Sequence, residues 1–160
     1  MDYRLQYADK ITLDRINLMH PDLRDDLLND YLTINTALPK GVRLRFSQTL
    51  RTTKEQNDLY AQGRTVKGKI VTNAKGGQSY HNFGLAFDIV ILYDRDNNGS
   101  FETASWDLDK YFMQVVSFFK TKGWFWGGDF KYFKDNPHFE KTFGKTTAQL
   151  RATGKLYPTI

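Results

Sequence analysis

Residues 84–92, Gly-Leu-Ala-Phe-Asp-Ile-Val-Ile-Leu, set one ionisable side chain inside an otherwise apolar run. The run is short, rich in bulky and β-branched residues and flanked by polar segments, so it predicts a buried β-strand. In a strand, Ala86, Asp88 and Val90 share one face, while Leu85, Phe87, Ile89 and Ile91 share the other. A carboxylate in such a place needs a counter-charge, a hydrogen-bond network or a metal ion. Ala86 leaves space beside it, Gly84 permits close approach of the chain, and His81 lies just upstream in "SYHNFGLAFDIV".

The remaining sequence narrows the setting. Over 160 residues, 40% hydrophobic and 15% aromatic, the chain has the material for one core, and a single domain over 1–160 is expected. No apolar stretch reaches the roughly 18 residues of a membrane span, and the first residues lack a secretory pattern; no stable membrane association and no export address are expected. Cysteine is absent, so any metal site must draw on His, Asp and Glu. The formal net charge of +5 and an isoelectric point near 9.3 favour polyanionic surroundings. No helix-turn-helix or zinc-knuckle pattern is present, and nucleic acid is not expected as a partner.

Along the chain, Leu23, Leu27, Tyr31, Ile34 and Leu38 recur at helical spacing after Pro21. "VRLRFSQTL" (42–50) alternates as a strand. Thr53 and Gln56 read as a capping box for a short helix that Gly63 ends. Residues 63–80 read as a long surface loop with one short strand. Asp107 is expected to cap a helix that buries Leu108, Tyr111, Phe112, Val115, Val116 and Phe119 and stops at Gly123. "WFWGG" and "HFEKTF" read as two further short strands around a turn. Helices and strands without a regular βαβ rhythm give an α+β class, with a small, largely antiparallel sheet flanked by helices.

A catalytic zinc site commonly has three protein ligands and an open position. His81 and Asp88 supply two. Of the other histidines, His20 in "LMHPDL" reads as a structural residue at a turn, whereas His138 opens a strand directly after Pro137, with Asp135 three residues before it. A carboxylate beside an activated water can act as general base. From spacing alone, metal binding competes with a plainer arrangement: Asp88 satisfied by an arginine or backbone amides, His81 a hydrogen-bonded loop residue, His138 exposed.

"SYHNFGLAFD" resembles the Ser-x-His-x-x-Gly-x-Ala-x-Asp signature of the zinc peptidases that include D-alanyl-D-alanine dipeptidases and carboxypeptidases. "DNPHFE" resembles their second motif. "DRINLMHPDLRDDLL", "RLRFSQTLRTTKEQNDLYAQGRT" and "WFWGGDF" are similar to one branch, the L-alanyl-D-glutamate endopeptidases of bacteriophage endolysins and bacterial cell-wall hydrolases. The likeness runs from about residue 12 to 145. It implies a hedgehog/DD-peptidase-like fold, with His81, Asp88 and His138 as zinc ligands and Asp135 as catalytic base. It also implies Arg51 as the group that polarises the scissile carbonyl, and Ser79 as a residue that positions substrate or loop. The dipeptidase branch usually carries glutamate where Asp135 stands; aspartate is similar to the endopeptidase branch.

The implied activity is zinc-dependent hydrolysis of the L-Ala–D-Glu bond in peptidoglycan stem peptides. The implied setting is an endolysin that accumulates in the host cytoplasm and acts on the wall after release, as a monomer without a separate wall-binding domain. A D,D- or L,D-carboxypeptidase shares the same machinery. A non-catalytic, metal-stabilised peptidoglycan-binding module would keep the ligands but would not need Asp135 and Arg51. A further ion is suggested by "DRDNNGSFE", where Asp94, Asp96, Asn98 and Glu102 match calcium-loop positions, although Ser105 stands where a bidentate glutamate is expected. The competing arrangement is an Asn-Gly hairpin tip with solvated carboxylates.

Overall fold

The computed structural model describes residues 1–160. Its helices are α1 (Lys10–Ile16), α2 (Arg24–Ala37), α3 (Thr53–Ala61), α4 (Lys110–Thr121) and α5 (Thr147–Ala152). Five strands, β1 (Val42–Gln48), β2 (Ala86–Tyr93), β3 (Thr103–Ser105), β4 (Phe125–Trp126) and β5 (His138–Glu140), form one antiparallel sheet. The order is β1-β2-β5-β4, and β3 pairs with the far end of β2. No helix is long and apolar enough to cross a membrane.

β2 is the central strand, and its alternation organises the molecule. Phe87, Ile89, Ile91 and Tyr93 enter the core with Leu44 and Phe46 of β1 and Phe112, Val115, Val116 and Phe119 of α4. Phe87 stacks on Phe46 at 4.3 Å and on Phe139 at 5.1 Å, so three near-parallel rings run across β1, β2 and β5. Phe119 and Trp124 meet Phe87 edge-on. Truncating such a fully buried ring costs about 3–5 kcal/mol. The same pairing sets Asp88 opposite His138 on the other face of the sheet.

A second anchor ties α1 to the sheet. Asp9 caps α1 through the Thr12 amide and accepts two hydrogen bonds from Arg45, at 2.9 and 2.8 Å. The buried Tyr31 hydroxyl accepts from the Asp9 amide and donates to the Leu44 carbonyl. Desolvation pushes that phenol up to about 12.

Several local expectations shift. The capping box is Thr52 with Glu55, one residue earlier than expected, which turns Gln56 inward, where it is fully buried. Asp109, not Asp107, caps α4, receiving the Tyr111 and Phe112 amides; this leaves Leu108 outside the helix and exposed. Residues 63–80 contain no strand, only an isolated bridge between Gln62 and Val66. His20 is structural, as expected: its Nε2 donates to the Pro158 carbonyl at 2.6 Å, and its Nδ1 accepts from the Asp22 amide.

The calcium pattern finds no counterpart. Residues 94–102 are the loop of the β2–β3 hairpin, and their polar groups satisfy one another. Asp94 accepts from the Asn98 and Gly99 amides, and the Asn98 side-chain nitrogen donates to Asp96 and Glu102. Asp94, Asp96 and Glu102 do not form a converging group of three ligand atoms.

Candidate metal centre

His81 sits in a 3-10 turn, Tyr80–Phe83, that leads into β2. Ser79 caps the turn, its Oγ accepting the His81 amide at 3.2 Å. Gly84 closes it at φ 68°, and a Cβ there would lie 2.5 Å from the His20 amide nitrogen, so only glycine fits. Asp88 projects from β2, and His138 from β5 directly opposite. These elements bring His81 Nε2, Asp88 Oδ1 and His138 Nδ1 into a triangle with edges of 3.1, 3.2 and 3.2 Å.

The outer hydrogen bonds decide what this triangle offers. His81 Nδ1 donates to the Thr49 carbonyl at 2.7 Å, an acceptor only, which leaves a lone pair on Nε2. His138 Nε2 donates to the Glu140 carboxylate at 2.7 Å, which leaves a lone pair on Nδ1. With the Asp88 carboxylate, three acceptors point at one another, an arrangement that calls for a cation between them. A tetrahedral ion with ligands about 2.0–2.1 Å away has ligand–ligand edges of roughly 3.3–3.4 Å, close to the observed triangle. The donor set therefore fits zinc. The outer partners are of the kind that fix tautomer and raise ligand basicity in metal sites.

Electrostatics agrees. Burial opposes ionisation of Asp88, but the imidazoles of His81 and His138 outweigh it and hold the carboxyl far below the ordinary range. For His138, burial disfavours charge, yet hydrogen bonds to Asp88 and Glu140 raise it to about 10. Without a metal, the triangle thus captures a proton.

Asp135 lies beside the triangle, its Oδ2 3.9 Å from His138 Nδ1, and is partly open to solvent. Burial first, and the Asp88 charge second, push its pKa up. Its backbone amide donates to the Gly127 carbonyl at 3.0 Å, and a Cβ on Gly127 would lie 2.1 Å from the Asp135 carbonyl oxygen. Arg51 approaches from the end of β1, with one guanidinium nitrogen 3.6 Å from Asp88 Oδ2 and another donating to Gln56 Oε1 at 2.9 Å. Its Nε is buried without a partner. The triangle, Asp135 and Arg51 line one cleft of about 460 Å³, together with Val71, Thr72, Ala74, Phe130 and Phe133.

Residues 72–141, which contain both histidines of the triangle together with Asp88 and Asp135, match the model of the family described as D-alanyl-D-alanine carboxypeptidase. This stretch of the chain is similar to that peptidase family. A curated relative, peptidoglycan L-alanyl-D-glutamate endopeptidase CwlK of Bacillus subtilis (strain 168), is 45% identical over 115 residues, 65% of this chain. The match spans 64% of that relative's length. The crystal structure of Serratia marcescens L-Ala D-Glu endopeptidase ChiX superimposes with a TM-score of 0.57 over 84% of this chain and 88% of that one, at 24% identity, a likeness of fold.

Every site residue expected from the sequence lines this cleft: His81, Asp88, His138, Asp135, Arg51 and Ser79. Ser79 is engaged by the turn it caps. Sequence reasoning missed Glu140, Gln56 and the Thr49 carbonyl. Glu140 was readable, since a side chain two residues after His138 in a strand lies on the same face. Gln56, expected in the cap, takes no part in it, and its bracing role shows only once the loop carrying Ala74 folds back to accept its amide at 2.8 Å.

Proposed function

We propose that this protein is a zinc-dependent peptidoglycan endopeptidase that hydrolyses the L-Ala–D-Glu bond of stem peptides. The observation that carries the proposal is the convergence of three acceptor atoms on 3.1–3.2 Å edges, with Asp135 and Arg51 beside them in an open cleft. The name of the Bacillus subtilis relative supports the choice of bond.

His81 Nε2, Asp88 and His138 Nδ1 would hold the zinc ion, which when bound supplies Lewis acidity toward an attacking water and a carbonyl oxygen. Asp135 takes the proton of the water and returns it to the departing amine nitrogen, restoring its own charge state. Its raised pKa suits a group that must hold that proton for part of the cycle. Arg51 directs its guanidinium toward the negative charge that develops on the carbonyl oxygen. Gln56 holds that guanidinium in place.

The reading extends to a bacteriolytic role of endolysin type, in which a monomer made in the host cytoplasm reaches the wall after release; the net charge of +5 suits an anionic wall. The test is mass spectrometry of purified peptidoglycan digested with and without a chelator. New peptides with N-terminal D-Glu, absent when chelator is present, support the endopeptidase. Loss of a terminal alanine alone replaces it with a carboxypeptidase, the activity in the family's description.

A further inference from the structure

The positive charge of this chain is not spread evenly. Residues 63–80 carry Arg64, Lys67, Lys69 and Lys75 with no acidic residue, and residues 130–134, Phe-Lys-Tyr-Phe-Lys, add Lys131 and Lys134. Of the 23 lysines and arginines, these six lie on two loops, and the remaining 17 face 18 acidic residues. The net excess of the molecule therefore belongs to these two loops.

Both loops help to line the cleft that holds the metal triangle, one supplying Val71, Thr72 and Ala74 and the other Phe130 and Phe133. None of the six cations forms an ion pair, although the chain has several elsewhere. Arg64 braces its own loop, donating to the Thr72 carbonyl and to Asn73. The five lysines are exposed. The two acids flanking 130–134 do not cancel its charge: Asp129 is turned to Lys120 at 2.6 Å, and Asp135 faces the metal triangle. Exposed apolar side chains stand among the lysines, namely Ile70 and Val71 on one loop and Tyr132 and Phe133 on the other.

We propose that these two loops form a built-in wall-binding surface, which holds the carboxylate-bearing peptide stems of intact peptidoglycan beside the cleft. This rests on the peptidoglycan reading above. An anionic polymer that reaches the cleft meets exposed cations on the loops that help to line it, Lys69 two residues from Val71 and Lys131 and Lys134 next to Phe130 and Phe133. Apolar side chains are there for its uncharged parts, while the cleft lining itself contributes only Arg51 as a fixed cation. Clefts lined by one sign of charge raise the local concentration of an oppositely charged ligand by about 10–10³-fold.

The test compares two variants with equal loss of charge. One carries Lys67→Gln, Lys69→Gln, Lys131→Gln and Lys134→Gln. The other carries Lys10→Gln, Lys40→Gln, Lys110→Gln and Lys155→Gln, exposed lysines that lie outside both loops. Zinc content and melting temperature check that both fold. Cosedimentation with peptidoglycan stripped of teichoic polymers is measured at low and raised salt. The expected result is about tenfold weaker binding and a flattened salt dependence for the loop variant alone. Equal loss in both variants, or no loss in either, overturns the proposal. Binding by the parent only to unstripped walls overturns it in favour of a phosphodiester polymer. If the parent sediments through these lysines yet releases no N-terminal D-Glu, the surface stands and the endopeptidase reading fails.

Discussion

Glu140 accepts the Nε2 proton of His138 at 2.7 Å, and the opposite nitrogen of the same ring closes the triangle with Asp88 at 3.2 Å. One carboxylate on β5 thus decides which face of an imidazole is free to bind a metal. Replacing it with a group that can donate to the ring removes that decision.

Glu140→Gln is therefore expected to weaken zinc about 10–100-fold while the fold persists. Competition titration against a chelator, with circular dichroism as the check on folding, measures this. Unchanged affinity would show that Glu140 does not set the tautomer.

The metal-free protein should carry its own pH signature. His138 is raised to about 10 in the folded state, against burial, by Asp88 and Glu140, whereas an unfolded histidine titrates near about 6.5. The charged imidazole contributes stability that is fully present below about 6.5 and is lost as pH rises through about 10. The melting temperature of chelated protein should fall across that window. Zinc must displace the same proton, so calorimetry in buffers of different ionisation enthalpy should report about one proton released per ion near neutral pH.

Asp135→Ala should keep zinc and lose turnover by about 10²–10⁴-fold, whereas His138→Ala should lose both. Gly127→Ala offers a finer probe, because its new methyl would collide with the Asp135 carbonyl at 2.1 Å. It should lower turnover with zinc content intact. Metal analysis beside a turnover assay separates the three variants.

The convergence of His81, Asp88 and His138 was more legible in the sequence than the residues that support it. Asp88 was conspicuous because a charge inside an apolar strand demands explanation, and the period of two put it on the face away from Phe87. His138 followed because few histidines exist. The helix caps were misplaced for a different reason: "TTKEQ" and "DLDK" each offer two candidate caps, and burial of Gln56 and exposure of Leu108 choose between them. The calcium pattern gains no support, since the Asn98 side chain donates to the neighbouring carboxylates.

Asp9 provides the test of the second anchor. Burial opposes its charge, but Arg45 and Thr12 lower its pKa below the ordinary value. That contribution is present above about 3.9 and is lost as pH falls through the folded-state value. Asp9→Ala should cost about 3 kcal/mol at neutral pH, since it removes the α1 cap and strands Arg45. Urea unfolding at neutral and acid pH should show the gap between parent and variant narrowing in acid.

Two of the stacked rings, Phe87 and Phe139, lie back to back with two corners of the triangle, Asp88 and His138, one residue away along the same strands. A slip in that stack by a single residue would send Asp88 into oil and a phenyl ring into the catalytic groove. The register of the aromatic layer thus sets the register of the triangle behind it: the pairing that stacks Phe87 on Phe139 is the one that places Asp88 opposite His138.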